Sequence, residues 1–265
     1  MVEISGRTRL FGILADPIHH VRTPQAINAM ARARGYDGVL VPFHAAPEDL
    51  ADVVAGLRRL RNLGGVIITV PHKSAMLALC DDVSARAQRI GAVNVVRREA
   101  DGRLVGDMLD GVGFVGGLRE SGIDPKGLTA YLAGAGGAAN AIAFALAQAG
   151  VSALTLANRT RAKAQDLQSR LAAAYPDLNL TIGTIDPSGH DLVVNATSLG
   201  LKADDPLPFD AERLTPDQIV AEIIMQPEET PILAAAKARG CRAHPGYPML
   251  SAQMALMCDT LGITS

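Results

Sequence analysis

Short, wholly apolar runs alternate along the chain with stretches whose apolar positions recur every three or four residues. The first kind reads as buried strands and the second as helices. Residues 8–14, 38–43 and 65–70 are predicted strands, separated by predicted helices at 25–34 and 49–61. Gly35 and the Gly64-Gly65 pair stand where those helices should stop. Strand and helix in turn imply a parallel sheet. A third helix is expected over 73–82 and a further turn or two over 84–90. Residues 93–96 and 103–105 then pattern as a hairpin that turns at Asp101-Gly102.

A second alternation starts near residue 110. It predicts a helix at 110–121, a buried strand at 128–133, an Ala-rich helix at 138–150, a strand at 153–157 and a charged amphipathic helix at 161–175. Strands at 180–183, 192–195 and 219–224 and a helix at 230–239 follow, with Pro206, Pro208 and Pro216 marking a loop region between the last two of those strands. The apolar helix expected over 249–261 has nothing left to pair with in its own neighbourhood, so it is expected to pack back on the first domain. The expected fold is therefore α/β with two domains, 1–109 plus 245–265 and 110–244. The first is mostly parallel, and the second is a Rossmann-type doubly wound sheet.

Composition narrows the function classes. Of 265 residues, 48% are hydrophobic but only 3% aromatic, so aliphatic side chains must fill the core and an antibody-like sandwich is disfavoured. Lys and Arg number 25 against 27 Asp and Glu, a formal charge of −2, which gives no positive field for nucleic acid or an acidic membrane. A small-molecule substrate is the better default. Cys80, Cys241 and Cys258 lie far apart without a CxxC pair, suggesting neither a disulfide framework nor a zinc site. Arg7 and Arg9 precede any long apolar stretch, and no run reaches the roughly 18 to 20 apolar residues of a membrane span. The expectation is a cytoplasmic protein, monomer or homodimer.

The segment Leu128-Thr129-Ala130-Tyr131-Leu132-Ala133-Gly134-Ala135-Gly136-Gly137-Ala138-Ala139 reads as a strand, then G-x-G-x-x-A, then a helix. Gly134 permits a tight turn, Gly136 lets the backbone approach a pyrophosphate, and Ala139 lets the helix lie close to the strand. The exposed N–H groups and positive helix end are then aimed at the phosphates. A plain glycine-rich turn is the competing account, and the flanking strand and helix favour dinucleotide binding. After the next strand an NAD enzyme places an acid on the ribose hydroxyl, whereas Asn158-Arg159-Thr160-Arg161-Ala162-Lys163 offers none. Arg159, Thr160 and Lys163 can supply cations and a hydroxyl to a 2′-phosphate, which points to NADP. Thr160 can equally serve as a helix N-cap.

Hydride transfer needs a group that gives or takes the carbinol proton. Lys73 follows an apolar strand and Pro71, at the end of a parallel strand where α/β sheets bind ligands, and Asp110 lies at the inferred domain junction. Taken singly, Lys73 can also be a solvated lysine opening a helix, and Asp110 a helix N-cap. None of the six histidines has metal-pair spacing, so no metal is expected, and His20 is a second candidate for proton transfer. No GxSxG elbow, Cys/His nucleophile or Walker sequence is present.

Taken together these residues resemble the shikimate dehydrogenase family, from about residue 10 to 253. Asp16-Pro17-Ile18 through Pro24 is similar to its N-terminal substrate loop, residues 65–73 to its NVTxPxK block, and Gly91-Ala92-Val93-Asn94 to GAVN. Residues 106–113 are similar to GxNTDGxG, Gly134-Ala135-Gly136-Gly137-Ala138 to GAGGA, and Asn158-Arg159-Thr160 to NRT. Asn195-Ala196-Thr197-Ser198-Leu199-Gly200 is similar to NATSxG and residues 246–253 to GxxML…Q. The resemblance implies reversible NADP-dependent reduction of 3-dehydroshikimate, with Lys73 catalytic and Asp110 its carboxylate partner. It also implies that Thr69, Asn94 and Gln253 hold ring hydroxyls, that positions 21 and 23 hold the substrate carboxylate, and that Thr197 and Gly246 stand on the cofactor side. The chain departs from the pattern at Val21-Arg22-Thr23 in place of Ser-x-Ser, at Ile67 for Asn, at Met108-Leu109 for Asn-Thr, and at Met225 for Tyr. Such losses point to shikimate as a poor substrate, with quinate, another cyclic hydroxy acid or a less polar alcohol in its place. The competing class is a catalytically weak dinucleotide-binding sensor or partner protein, and retention of Lys73 with Asp110 counts against it.

Overall fold

The computed structural model describes residues 4–19, 21–202 and 204–264. His20 lies outside them. The chain divides into two compact units, one formed by the chain up to Leu109 together with the stretch from Gln253 onward, the other Asp110–Ala252.

The first unit runs β1 (Arg9–Ala15), α1 (Thr23–Ala33), β2 (Gly38–His44), α2 (Leu50–Arg58), β3 (Leu63–Ile68), α3 (Lys73–Leu77), β4 (Asp82–Val83), α4 (Ala85–Ile90), β5 (Val95–Arg98) and β6 (Leu104–Asp107). Its sheet has the order β2-β1-β3-β5-β6-β4. β1 is parallel to β2 and β3, and β4 is parallel to β6, whereas β5 is antiparallel to β3 and β6. Every residue of β3 is buried, which is why its sequence shows no alternation. The helix expected over 73–82 ends at Leu77. Asp81 is drawn to β6 instead, with its N–H on the Leu104 carbonyl (2.9 Å) and its carboxylate accepting from the Leu104 N–H (2.7 Å) and Arg58 (2.5 Å). The two-residue strand that results was not foreseen.

The second unit runs α5 (Asp110–Glu120), β7 (Thr129–Ala133), α6 (Gly137–Ala149), β8 (Ala153–Ala157), α7 (Arg161–Ala174), β9 (Asn179–Ile182), β10 (Leu192–Asn195), β11 (Ile219–Glu222), α8 (Pro231–Ala238) and β12 (Arg242–His244). Its sheet has the order β12-β11-β10-β7-β8-β9, and every pairing is parallel. Counted from β7 this is the 3-2-1-4-5-6 order of a doubly wound nucleotide-binding sheet, whose switch point lies between β7 and β10. Tyr131, Val193, Phe209, Leu214, Val220, Ile232 and Leu233 are among the buried side chains that fill its core.

The last helix, α9 (Tyr247–Leu261), is shared. Residues 245–252, which the sequence reading gives to the first domain, group with the second unit. Close backbone approaches keep them there. A Cβ on Gly246 would lie 2.3 Å from the Ile224 oxygen, and one on Gly117 would lie 2.6 Å from the Pro248 carbonyl carbon. From Gln253 onward the helix belongs to the first unit, where the Arg34 guanidinium donates to Asp259 and to the Ile263 carbonyl, each at 2.6 Å.

Candidate active site

In the first unit, residues from the ends of β1 and β3 converge with the β5 and β6 segments. The Thr69 N–H donates to the Leu14 carbonyl (3.0 Å), and the Ile68 N–H donates to the Asn94 carbonyl (2.8 Å). Lys73 opens α3, half-buried, and its carbonyl accepts from the Val93 N–H at 3.0 Å, one residue before Asn94. His72, 1% exposed, has a ring nitrogen 2.9 Å from the Ala45 carbonyl, fixing the turn that presents Lys73.

Asn94 and Gln253 are buried, 1% and 2% exposed, and the Asn94 amide donates to Gln253 Oε1 at 3.3 Å. Asn94 Oδ1 accepts the Leu109 N–H at 2.8 Å. That bond comes from the main chain, so it survives the exchange of a polar residue for leucine. The structure thus joins Asn94 to Gln253 and holds Lys73 beside them through one strand connection. Val21 and Thr23 stand half-buried at the entry to α1. The Thr23 and Thr69 hydroxyls make no hydrogen bond among the described residues. Ile67, Met108 and Leu109 are at most 3% exposed, and Ile67 is in register with Ile13 and Val95, so these departures also serve as core packing.

In the second unit, β7 ends at Gly134, whose φ of +118° is a region that L side chains avoid. A Cβ there would lie 2.7 Å from the Ala196 oxygen and 3.3 Å from the Ala139 Cβ, so the glycine turn, the loop after β10 and the first turn of α6 share one tight contact. Gly134→Ala should therefore lower stability by roughly 1 to 3 kcal/mol and weaken dinucleotide binding, as read by urea unfolding and cofactor titration. A Cβ on Gly136 would meet nothing within 4 Å. Gly136 caps α6 without a side chain, and no acid stands in the first turn, so the amides of Gly137, Ala138 and Ala139 have no capping group. Open space before an uncapped helix start fits a pyrophosphate. Asp110 opens α5, buried at 3% exposure, and Gly111 brings that helix close to α6, where its Cβ would lie 2.3 Å from the Ala141 oxygen.

At the end of β8 the Asn158 amide donates to the Thr160 carbonyl at 2.9 Å. Thr160 occupies the N-cap position of α7, but its hydroxyl makes no capping bond. Arg159, Arg161 and Lys163 are exposed and form no ion pair among the described residues. This corner holds a surplus of cations and a free hydroxyl, which fits a 2′-phosphate.

The loop after β10 is ordered by its own side chains. Asn195 Oδ1 accepts from the Thr197 N–H (3.0 Å) and hydroxyl (2.7 Å), and Thr197 Oγ1 accepts from the Leu199 N–H (3.0 Å). The Asn195 amide donates to the Leu199 carbonyl (3.0 Å) and to Glu222 (2.9 Å). Glu222 is a residue the sequence reading passed over. A lone acid within an apolar strand was the available signal.

Residues 13–96 match the family model described as the shikimate dehydrogenase substrate binding domain, and residues 119–199 match that of shikimate / quinate 5-dehydrogenase. A shikimate dehydrogenase (NADP(+)) of Rubrobacter xylanophilus is 42% identical over 257 residues, 94% of this chain and 88% of the relative. The chain belongs to the shikimate dehydrogenase family. Among solved structures, shikimate 5-dehydrogenase of Thermus thermophilus in complex with NADP(H) and shikimate is 34% identical, with a TM-score of 0.84 over 96% of this chain and 93% of that one. The ligand-free 5-ketofructose reductase of a Gluconobacter strain is 31% identical, with a TM-score of 0.81 over 97% and 99%. Membership bears out the two-domain α/β fold and the oxidoreductase class. Among the described residues no group of three His, Cys, Asp or Glu side chains could hold a metal, and no helix is long and apolar enough to cross a membrane.

Proposed function

We propose that the chain is an NADP-dependent dehydrogenase of the shikimate dehydrogenase type, interconverting the hydroxyl and keto forms of shikimate and 3-dehydroshikimate or of a related cyclic hydroxy acid such as quinate. The observation that carries this reading is the joining of Asn94 and Gln253, with Lys73 and Thr69 beside them, at the strand ends of a family member's first unit. The bound nicotinamide supplies or accepts the hydride. Lys73 gives the carbonyl oxygen its proton in reduction and takes it back in oxidation, and Asp110 is its carboxylate partner. The amides of Asn94 and Gln253 and the hydroxyls of Thr69 and Thr23 bind the substrate's oxygens. Gly134, Ala135, Gly136, Gly137 and Ala138 cradle the pyrophosphate, and Thr197 and Gly246 line the same side. Asn158, Arg159, Thr160 and Lys163 take the adenosine end.

NADP+ reduction measured with shikimate, quinate and a panel of cyclic alcohols tests the reading, and turnover of none of them would refute it. Arg159→Ala should weaken NADP+ binding by about 10- to 100-fold and leave NAD+ binding nearly unchanged. Equal binding of the two cofactors by the unaltered protein would refute the cofactor assignment.

A narrower reading follows from Val21 and Met225. Both are half-buried, and neither offers the hydroxyl that the family pattern places there. The substrate then has a less polar edge than shikimate, and a neighbour named as a ketofructose reductase supports a family whose substrates are not uniform. The three cysteines are free, and burial raises the thiol pKa of each, Cys80 to about 11, which fits a reducing cytoplasm.

A further inference from the structure

Glu222 takes no part in the steps above, yet it is fully buried at the C-terminal end of β11, in register with Asn195. Its Oε1 accepts from the Asn195 amide at 2.9 Å and from the Ile224 N–H at 3.4 Å, and its Oε2 accepts from the Thr230 hydroxyl at 2.6 Å. Three donors on two oxygens suit a carboxylate rather than a carboxylic acid. Asn195 carries the pull onward. Its amide oxygen orders Thr197, and Ala196 beside it sits against the Gly134 turn. Gly200, at φ +113°, closes the loop back onto Thr230 and Ile224, where a Cβ would lie 3.2 and 3.3 Å from their side chains. A continuous set of contacts therefore runs from Glu222 to the phosphate-binding turn within one unit.

We propose that Glu222 is a positioning residue for dinucleotide binding: its carboxylate clamps the 195–200 loop against the glycine turn, and the clamp loosens when the carboxylate takes up a proton. The proposal rests on the reading of that turn as the cofactor site. Loss of water on burial raises the Glu222 carboxyl to about 7, and the bonds from Thr230, Ile224, the Ile223 backbone and Asn195 oppose the rise.

The charged groups on the neighbouring elements lie in other settings. β10 carries no charge, and His244 on β12 is in register with Ala221, with burial and Arg242 lowering its pKa. Asp205 accepts from the Gly200 and Lys202 N–H groups, which hold it below the usual carboxylate range. Glu229, which precedes α8, and Lys237, in its last turn, pair with one another, both exposed. Protonation of Glu222 turns one acceptor oxygen into a donor that faces hydroxyl and N–H groups. Loop order and cofactor affinity should then fall together as pH drops through about 7, and by linkage bound cofactor should draw the Glu222 pKa down.

The test is NADP+ affinity measured by calorimetry from about pH 6 to pH 8 for the unaltered protein and for Glu222→Gln. Affinity of the unaltered protein should fall about fivefold or more as pH drops from about 8 to about 6 relative to the variant, which should bind weakly throughout. The 2′-phosphate titrates in both proteins and cancels in the comparison. Glu222→Gln removes a buried charge, so its melting temperature at about pH 8 should not lie below that of the unaltered protein. As a second variant, Thr230→Val deletes a donor to the carboxylate and should move the midpoint of the pH profile upward. Parallel profiles in the unaltered protein and Glu222→Gln, or an unmoved midpoint in Thr230→Val, overturn the proposal. Absence of NADP+ and NAD+ binding at every pH overturns the cofactor reading itself, and the proposal with it.

Discussion

Lys73→Ala lowers kcat by about two to four orders of magnitude, the range for a lost general acid or base, and leaves NADP+ binding intact. The separation follows from placement. Lys73 opens α3 in the first unit, while the glycine turn, α6 and the cationic corner after β8 all lie in the second. Its neighbours are fixed without its amine. Its carbonyl receives the Val93 N–H and His72 anchors the turn, so removal of the side chain should leave the backbone in place. Asp110→Asn keeps the shape and removes the charge, and it should slow the same step. Steady-state rates with cofactor titration check both variants. Near-normal turnover by Lys73→Ala would remove the lysine from the mechanism.

Shikimate oxidation by the unaltered protein should fall below the ordinary enzyme range of about 10⁴ M⁻¹s⁻¹ in kcat/KM, with a high KM. Val21 and Met225 are the two departures that remain half-buried, whereas Ile67, Met108 and Leu109 lie in the core. Each hydroxyl lost against a polar substrate costs roughly 1 to 3 kcal/mol, so two losses amount to a factor of roughly 30 to 10⁴. Val21→Ser with Met225→Tyr should raise shikimate kcat/KM. Ile67→Asn should not, because it places an amide in a fully buried strand between Ile13 and Val95. Steady-state kinetics with shikimate decide the matter, and a value already at or above 10⁴ M⁻¹s⁻¹ would show that Val21 and Met225 are accommodated.

Elements governed by local pattern were legible in the sequence. The alternation of apolar runs with amphipathic stretches gave β1 to β3 and β7 to β11 with their helices to within a few residues, because strands buried on both faces and helices with one apolar face leave different periods. Two short strands were missed. Asp82–Val83 and Arg242–His244 are held by neighbours distant in sequence, β6 and β11, and carry too few residues to show a period. The glycine turn was visible because Gly134, at φ +118° and pressed against the Ala196 backbone and the Ala139 Cβ, answers a local steric demand. Glu222 was not, since its partners at positions 195 and 230 meet it only through strand register and a loop return.

The interruption of the first unit between Leu109 and Gln253 bears on how the protein is made. A ribosome completes every strand of the nucleotide-binding sheet before it reaches Gln253, the partner of the Asn94 amide, and before Asp259 and Ile263 can engage Arg34. The sheet of the first unit therefore stays without these partners until synthesis has passed through the whole of the second unit.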